Sequence, residues 1–131
     1  MNFIVIDAGV WIRLARSNFA MPITKRLKYY FLIPVVNNYL LSEVHIALLK
    51  NNWATMKQAD LFVEYIKELC YYVTELLVYR LIPDPKDNYL IDLAVQHNCA
   101  FIISDDSELH SFPLAPVPIN SCDWFLKQFP V

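Results

Sequence analysis

Four places in the chain set a carboxylate where burial would punish it. Asp7 closes the apolar run Phe3–Ile6, and the adjacent Asp105 and Asp106 close a second apolar run that ends at Ser104. Asp87 has Leu90, Ile91 and Ala94 at i+3, i+4 and i+7, and Glu43 has Tyr39 and Leu40 behind it and Ile46 and Ala47 ahead. In a helix both acids would ride an apolar stripe. Glu64, beside Asp60, Lys67 and Glu68, and Asp92, with Asn88 and Gln96 at i−4 and i+4, read instead as members of solvated faces. A charge on a buried stripe is costly unless something pairs with it, and no Lys or Arg stands at i±3 or i±4 from Asp87 or Glu43. The economical partner is a hard divalent cation, Mg²⁺ or Mn²⁺, which binds carboxylate oxygen and offsets the mutual repulsion of acids brought together.

These acids need elements to carry them, and the chain alternates strand and helix signals. Phe3–Ile6 suits a parallel strand covered on both faces, with Asp7 at the turn into a short helix over Val10–Arg16. The pattern predicts further helices over Met21–Tyr30, Asn38–Lys50 with Asn37 as cap, 54–72, Lys86–Gln96 and Asn120–Phe129 with Asn120 and Asp123 as a capping pair. It predicts strands over Leu32–Val36, Ala100–Ser104 and Val117–Ile119, Pro34 hinting at an edge, and a turn at Asp84-Pro85. Strands separated by helices give an α/β fold: a single-domain parallel sheet flanked by helices, with right-handed crossovers. The ligand site of such a sheet lies beyond the carboxyl ends of its strands, where Asp7 and the Asp105/Asp106 pair fall.

At 131 residues, 56% hydrophobic and 15% aromatic, the chain has material for one well-packed core, and residues 1–131 read as one domain. No apolar stretch approaches the ~20 residues that span a bilayer and no signal-peptide pattern opens the chain, so the expectation is a cytoplasmic protein with no membrane contact. Cys70, Cys99 and Cys122 lack zinc or redox spacing and read as separate reduced thiols. A net charge of −2 argues against bulk electrostatic capture of nucleic acid, yet five of the eleven basic residues, Arg13, Arg16, Lys25, Arg26 and Lys28, fall between positions 13 and 28. Any nucleic-acid contact should be local.

The stretches "IVIDAGVWI", "VVNNYLLSEVHIALL", "DPKDNYLIDLA" and "FIISDDSEL" occur in the order and at the spacing of PIN domains, and the chain resembles the small stand-alone members that act as toxin components of toxin–antitoxin systems. The resemblance runs from Asn2 to about Phe129, including a closing "VPINSCDWFL". It implies a PIN-like three-layer sandwich and a metal-binding quartet that doubles as the catalytic set: Asp7, Glu43, Asp87 and Asp106. The register of "SDDSEL" favours Asp106 over Asp105. Asp105, Glu108 and Ser104 become auxiliary residues, Ser104 being the small hydroxyl residue that often precedes the family's last acidic pair. The implied chemistry is endoribonucleolytic: Mg²⁺ or Mn²⁺ held by the quartet, an activated water, in-line displacement and a 5′-phosphate product. RNA would be the substrate, with Arg13, Arg16, Lys25, Arg26 and Lys28 steering its backbone, and an antitoxin protein the partner. One departure stands out, because the family's usual Asp-x-Asn after the first strand is here Asp7-Ala8-Gly9.

Two other phosphate-handling folds are disfavoured. A haloacid-dehalogenase-like phosphatase needs a second aspartate where Gly9 stands, and a receiver domain needs its acidic pair after the first strand. A module of the same fold that acts through partner association is the remaining alternative. His45, His97 and His110 lack the spacing of a metal pair. Trp11, Trp53, Trp124, Tyr71 and Tyr72 read as core or interface. The apolar composition, with Trp53, Leu61, Phe62, Tyr65, Ile66 and Leu69 around one helical hairpin, predicts a homodimer or a groove for an antitoxin peptide.

Overall fold

The computed structural model describes residues 2–18, 22–74, 85–110 and 116–131, apart from the side chains of 85–88 and of Glu108. Among these residues five parallel strands form the sheet: β1 (Asn2–Ile6), β2 (Leu32–Val36), β3 (Tyr71–Tyr72), β4 (Ile102–Ile103) and β5 (Ile119–Asn120). Their order is β3-β2-β1-β4-β5, so β1 is central and the chain reverses its direction of travel across the sheet between β1 and β4. Ile4, Val5, Ile6, Val35, Val36, Ile102 and Ile103 are all buried, as continuous apolar β-branched runs in a sheet covered on both faces must be.

Among the described residues seven α-helices flank the sheet: α1 (Ala8–Arg16), α2 (Ile23–Tyr29), α3 (Asn38–Leu49), α4 (Met56–Leu69), α5 (Pro85–Gln96), α6 (Ser107–His110) and α7 (Cys122–Gln128). This is the parallel α/β sandwich expected. Asn37 caps α3 by accepting from the Leu40 amide, and Thr55 with Gln58 forms a reciprocal capping box on α4. Asn51 and Asn52, both in the left-handed region, break the chain between those helices.

Several details differ from the expectation. Pro34 lies in an interior strand, and is tolerated there because β3 pairs only with Val35 and Val36 and stops short of it. The strand Tyr71–Tyr72 replaces the end of the helix expected over 54–72. Ser121, accepting from the Trp124 amide, caps α7 in place of Asn120, which belongs to β5. The expected turn residue Asp84 lies outside the described residues. Asp92 is 5% exposed, which overturns its placement on a solvated face. Leu90, Ile91, Leu93 and Ala94 around it are buried too, so this part of α5 is enclosed on all sides.

Candidate active site

Strand register brings the first two residues of the site together. Val5 pairs with Ile102 and Ile6 with Ile103, so the chain leaves β1 and β4 side by side at their carboxyl ends, with Asp7 next to Ser104. The Asp7 amide donates to the Ile103 carbonyl at 2.9 Å, and the buried Ser104 hydroxyl donates to Asp7 Oδ2 at 2.7 Å. The same hydroxyl oxygen accepts from the Asp106 amide at 3.1 Å. One serine therefore orients an acid of the first strand end and anchors the backbone of an acid of the fourth.

Burial is the largest influence on Asp7 and raises its pKa above the usual carboxylate value. The negative charge of Asp106 adds in the same direction, while the Ser104 hydroxyl and the Ala8 and Gly9 amides pull downward. Those amides act from the start of α1 at a geometry that falls short of a capping hydrogen bond. Asp7 and Asp106 thus share one electrostatic neighbourhood.

Glu43 reaches this end of the sheet from α3. It is half-buried, and of the residues that frame it Tyr39 and Ile46 are exposed, so the stripe it rides is only partly covered. The Tyr89 hydroxyl, from α5, donates to Glu43 Oε2 at 3.0 Å. Burial first, then the charges of Glu43 and Asp7, push the Tyr89 phenol well above its ordinary pKa and keep it a proton donor. The ring of Tyr39 packs on that of Tyr89 at 4.6 Å between centroids. Sequence reading passes over Tyr89, although a phenol two positions beyond Asp87 is a usable signal. Asp87 is in the first turn of α5 and Glu108 in α6, and the side chains of both lie outside the described residues.

The neighbouring acids Asp105 and Asp106 part company. Asp105 accepts from Arg13 Nη1 at 2.6 Å and from the Cys122 amide at 2.9 Å, tying the loop after β4 to α1 and α7. Two more of the five clustered cations make backbone contacts: Arg16 donates to the Ala47 carbonyl and lies over the Trp53 ring, and Arg26 donates to the carbonyls of Pro22 and Leu126. Lys25 and Lys28 are exposed on α2, with no ion-pair partner among the described residues.

The described contacts of the histidines are a hydrogen bond, an ion pair and a ring contact. His110 Nε2 donates to the Ser104 carbonyl, His45 pairs with Asp60 at 2.7 Å across α3 and α4, and His97 meets the edge of Tyr71. The three cysteines are free thiols, and burial raises the pKa of each, that of Cys99 to about 12.

Asp7, Asp106 and Glu43 offer carboxylate oxygen, the donor type that suits Mg²⁺ or Mn²⁺. Asp7 is largely withdrawn from water with the Asp106 charge nearby, so a cation bound here would offset both, and the donor chemistry of the residues present fits such an ion. Among the described residues no three His, Cys, Asp or Glu close around one point.

The chain is a parallel α/β domain with acids at the carboxyl ends of β1 and β4, where the strand order reverses and such sheets bind their ligands. The family model of the PIN domain matches residues 3–108, and the chain belongs to that family, whose members are generally metal-dependent nucleases. No curated protein matches the chain. Among the described residues no helix is long and apolar enough to cross a membrane.

Proposed function

We propose that the chain is a metal-dependent endoribonuclease, that residues 1–131 act as one cytoplasmic unit, and that it is the toxin of a toxin–antitoxin pair. The observation that supports this reading most is the Asp7–Ser104–Asp106 arrangement: a half-buried carboxylate, oriented by a buried hydroxyl and raised in pKa partly by a second acid. A divalent cation, Mg²⁺ or Mn²⁺, would be held by Asp7, Glu43, Asp87 and Asp106, and supplies charge neutralisation and Lewis acidity toward a phosphodiester. The chain's own residues prepare that site. Ser104 fixes which oxygen of Asp7 turns away from it, and Lys25 and Lys28 offer exposed positive charge to a phosphate backbone. RNA rather than DNA is the substrate by family analogy.

The testing experiment is incubation of purified protein with single-stranded and structured RNA in Mg²⁺, in Mn²⁺ and in chelator. Cleavage in metal alone, lost in Asp7→Asn and Asp106→Asn, is expected. A second reading, a catalytically silent module working through partner association, is favoured by Gly9. Intact RNA under every condition, together with a stable complex with an antitoxin protein, would select it.

A further inference from the structure

We propose that Tyr89 is a positioning residue of the acidic site, its hydroxyl holding the Glu43 carboxylate in one orientation. The inference rests on the reading that Glu43 helps to hold a divalent cation. Glutamate reaches its carboxylate through three rotatable bonds, and ordering such a side chain at the moment of binding weakens affinity. Tyr89 removes part of that cost beforehand. Its ring has only two side-chain torsions, is largely buried, and is backed by Tyr39 at 4.6 Å between centroids, so the hydroxyl that meets Glu43 Oε2 at 3.0 Å comes from a rigid support.

The bond also joins two elements. Glu43 belongs to α3, which follows β2 directly, and Tyr89 belongs to the start of α5, two residues beyond Asp87. Fixing Glu43 to Tyr89 therefore fixes α3 against the helix turn that carries Asp87. The arrangement repeats the logic of Ser104 and Asp7, in which a hydroxyl on one element orients an acid on another. At Gly9, by contrast, there is no side chain to contribute such a contact.

The test is Tyr89→Phe, which keeps the ring and deletes the donor. Mn²⁺ affinity is measured by calorimetry, and melting temperature is measured in chelator. A metal dissociation constant about 10-fold weaker than the parent's is expected, in a protein that melts in chelator within a few degrees of it. In a Glu43→Gln background the same substitution should leave Mn²⁺ affinity unchanged, because Tyr89 acts through that carboxylate. If the parent binds Mn²⁺ and Tyr89→Phe binds it equally well, or if the loss persists in the Glu43→Gln background, the positioning role is wrong while the cation site stands. If the parent binds no Mn²⁺, the cation site fails and the positioning role with it.

Discussion

The Ser104 hydroxyl donates to Asp7 Oδ2 across the seam between the two strands at the centre of the site, and Ser104 is fully buried while doing so. A buried hydroxyl needs partners, and this one has both a carboxylate to donate to and the Asp106 amide to accept from. Ser104→Ala leaves the amide and the acid short of a partner each. We expect a loss of about 1–3 kcal/mol in urea unfolding, measured in chelator. Equal stability of the two proteins would mean that water replaces the hydroxyl without cost.

The raised pKa of Asp7 sets a pH dependence. The folded chain binds this proton more tightly than the unfolded chain, whose carboxylate titrates near 3.8. In the window between the two values the native state therefore holds more protons, and stability falls as the pH rises. The contribution is fully present below the unfolded value and gone above the folded one. Melting curves in chelator, taken from pH 3.5 to 7, should show the parent losing stability relative to Asp7→Asn as the pH rises. Parallel curves for the two proteins would remove the electrostatic basis of the site.

Metal should reverse the sign of that effect. Asp106→Asn removes a charge that repels Asp7, so it should stabilise the protein in chelator and raise its melting temperature, the gain being no more than about 1 kcal/mol because Asp106 is exposed and screened. The same substitution should shrink the gain that Mg²⁺ or Mn²⁺ gives the parent. Glu64→Gln is a suitable control, since Glu64 is exposed and pairs only weakly with Lys67 at 3.6 Å. A lower melting point for Asp106→Asn in chelator with an undiminished metal gain would argue against a shared cation.

Much of this arrangement was readable in the residues, for reasons that also explain the gaps. Ile4–Ile6 announced a strand because a continuous β-branched run has few other homes, and Asn37 announced a helix start because its carboxamide competes for backbone donors. Asp92 misled because helical spacing finds a polar face only when a helix has one, and α5 is enclosed around it. Tyr71–Tyr72 hid because it follows α4 without a break in aromatic and apolar residues. The division of labour between Asp105 and Asp106 was invisible in an adjacent pair: only the fold says that the first meets Arg13 and the second lies near Asp7.

Gly9 offers a gain-of-function prediction. It occupies the second position of α1, and beyond its chain neighbours and helix backbone no described atom lies within 4 Å of where a Cβ would sit. Gly9→Asn is therefore sterically open and should raise stability by a few tenths of a kcal/mol through helix propensity alone. If the family's polar side chain at this position orients an acid or a bound water, metal-dependent RNA cleavage should rise several-fold or more in the same variant. Higher stability with unchanged cleavage would show that the site has adapted to glycine.

The last prediction concerns assembly. The hairpin of α3 and α4 buries Phe62 and Ile66, which meets part of the apolar excess expected there, but leaves Ile46, Trp53, Met56 and Leu61 exposed, Leu61 at 61%. A cavity of about 320 Å³, lined by Ala15, Leu48, Trp53 and Phe62, opens at one of them, Trp53. A stable dimer needs about 800 Å² from each partner, and a helical hairpin that leaves four large apolar residues in water is a source for part of it. We predict a dimer at tens of micromolar in sedimentation, driven toward monomer by Leu61→Glu. Phe31, 72% exposed at the start of β2, is the competing candidate, and Phe31→Ser should leave the dimer intact. Dissociation by Phe31→Ser but not by Leu61→Glu would move the interface to the amino edge of the sheet. A parent that sediments as a monomer would leave the α3–α4 face to an antitoxin peptide, whose binding Leu61→Glu should then abolish.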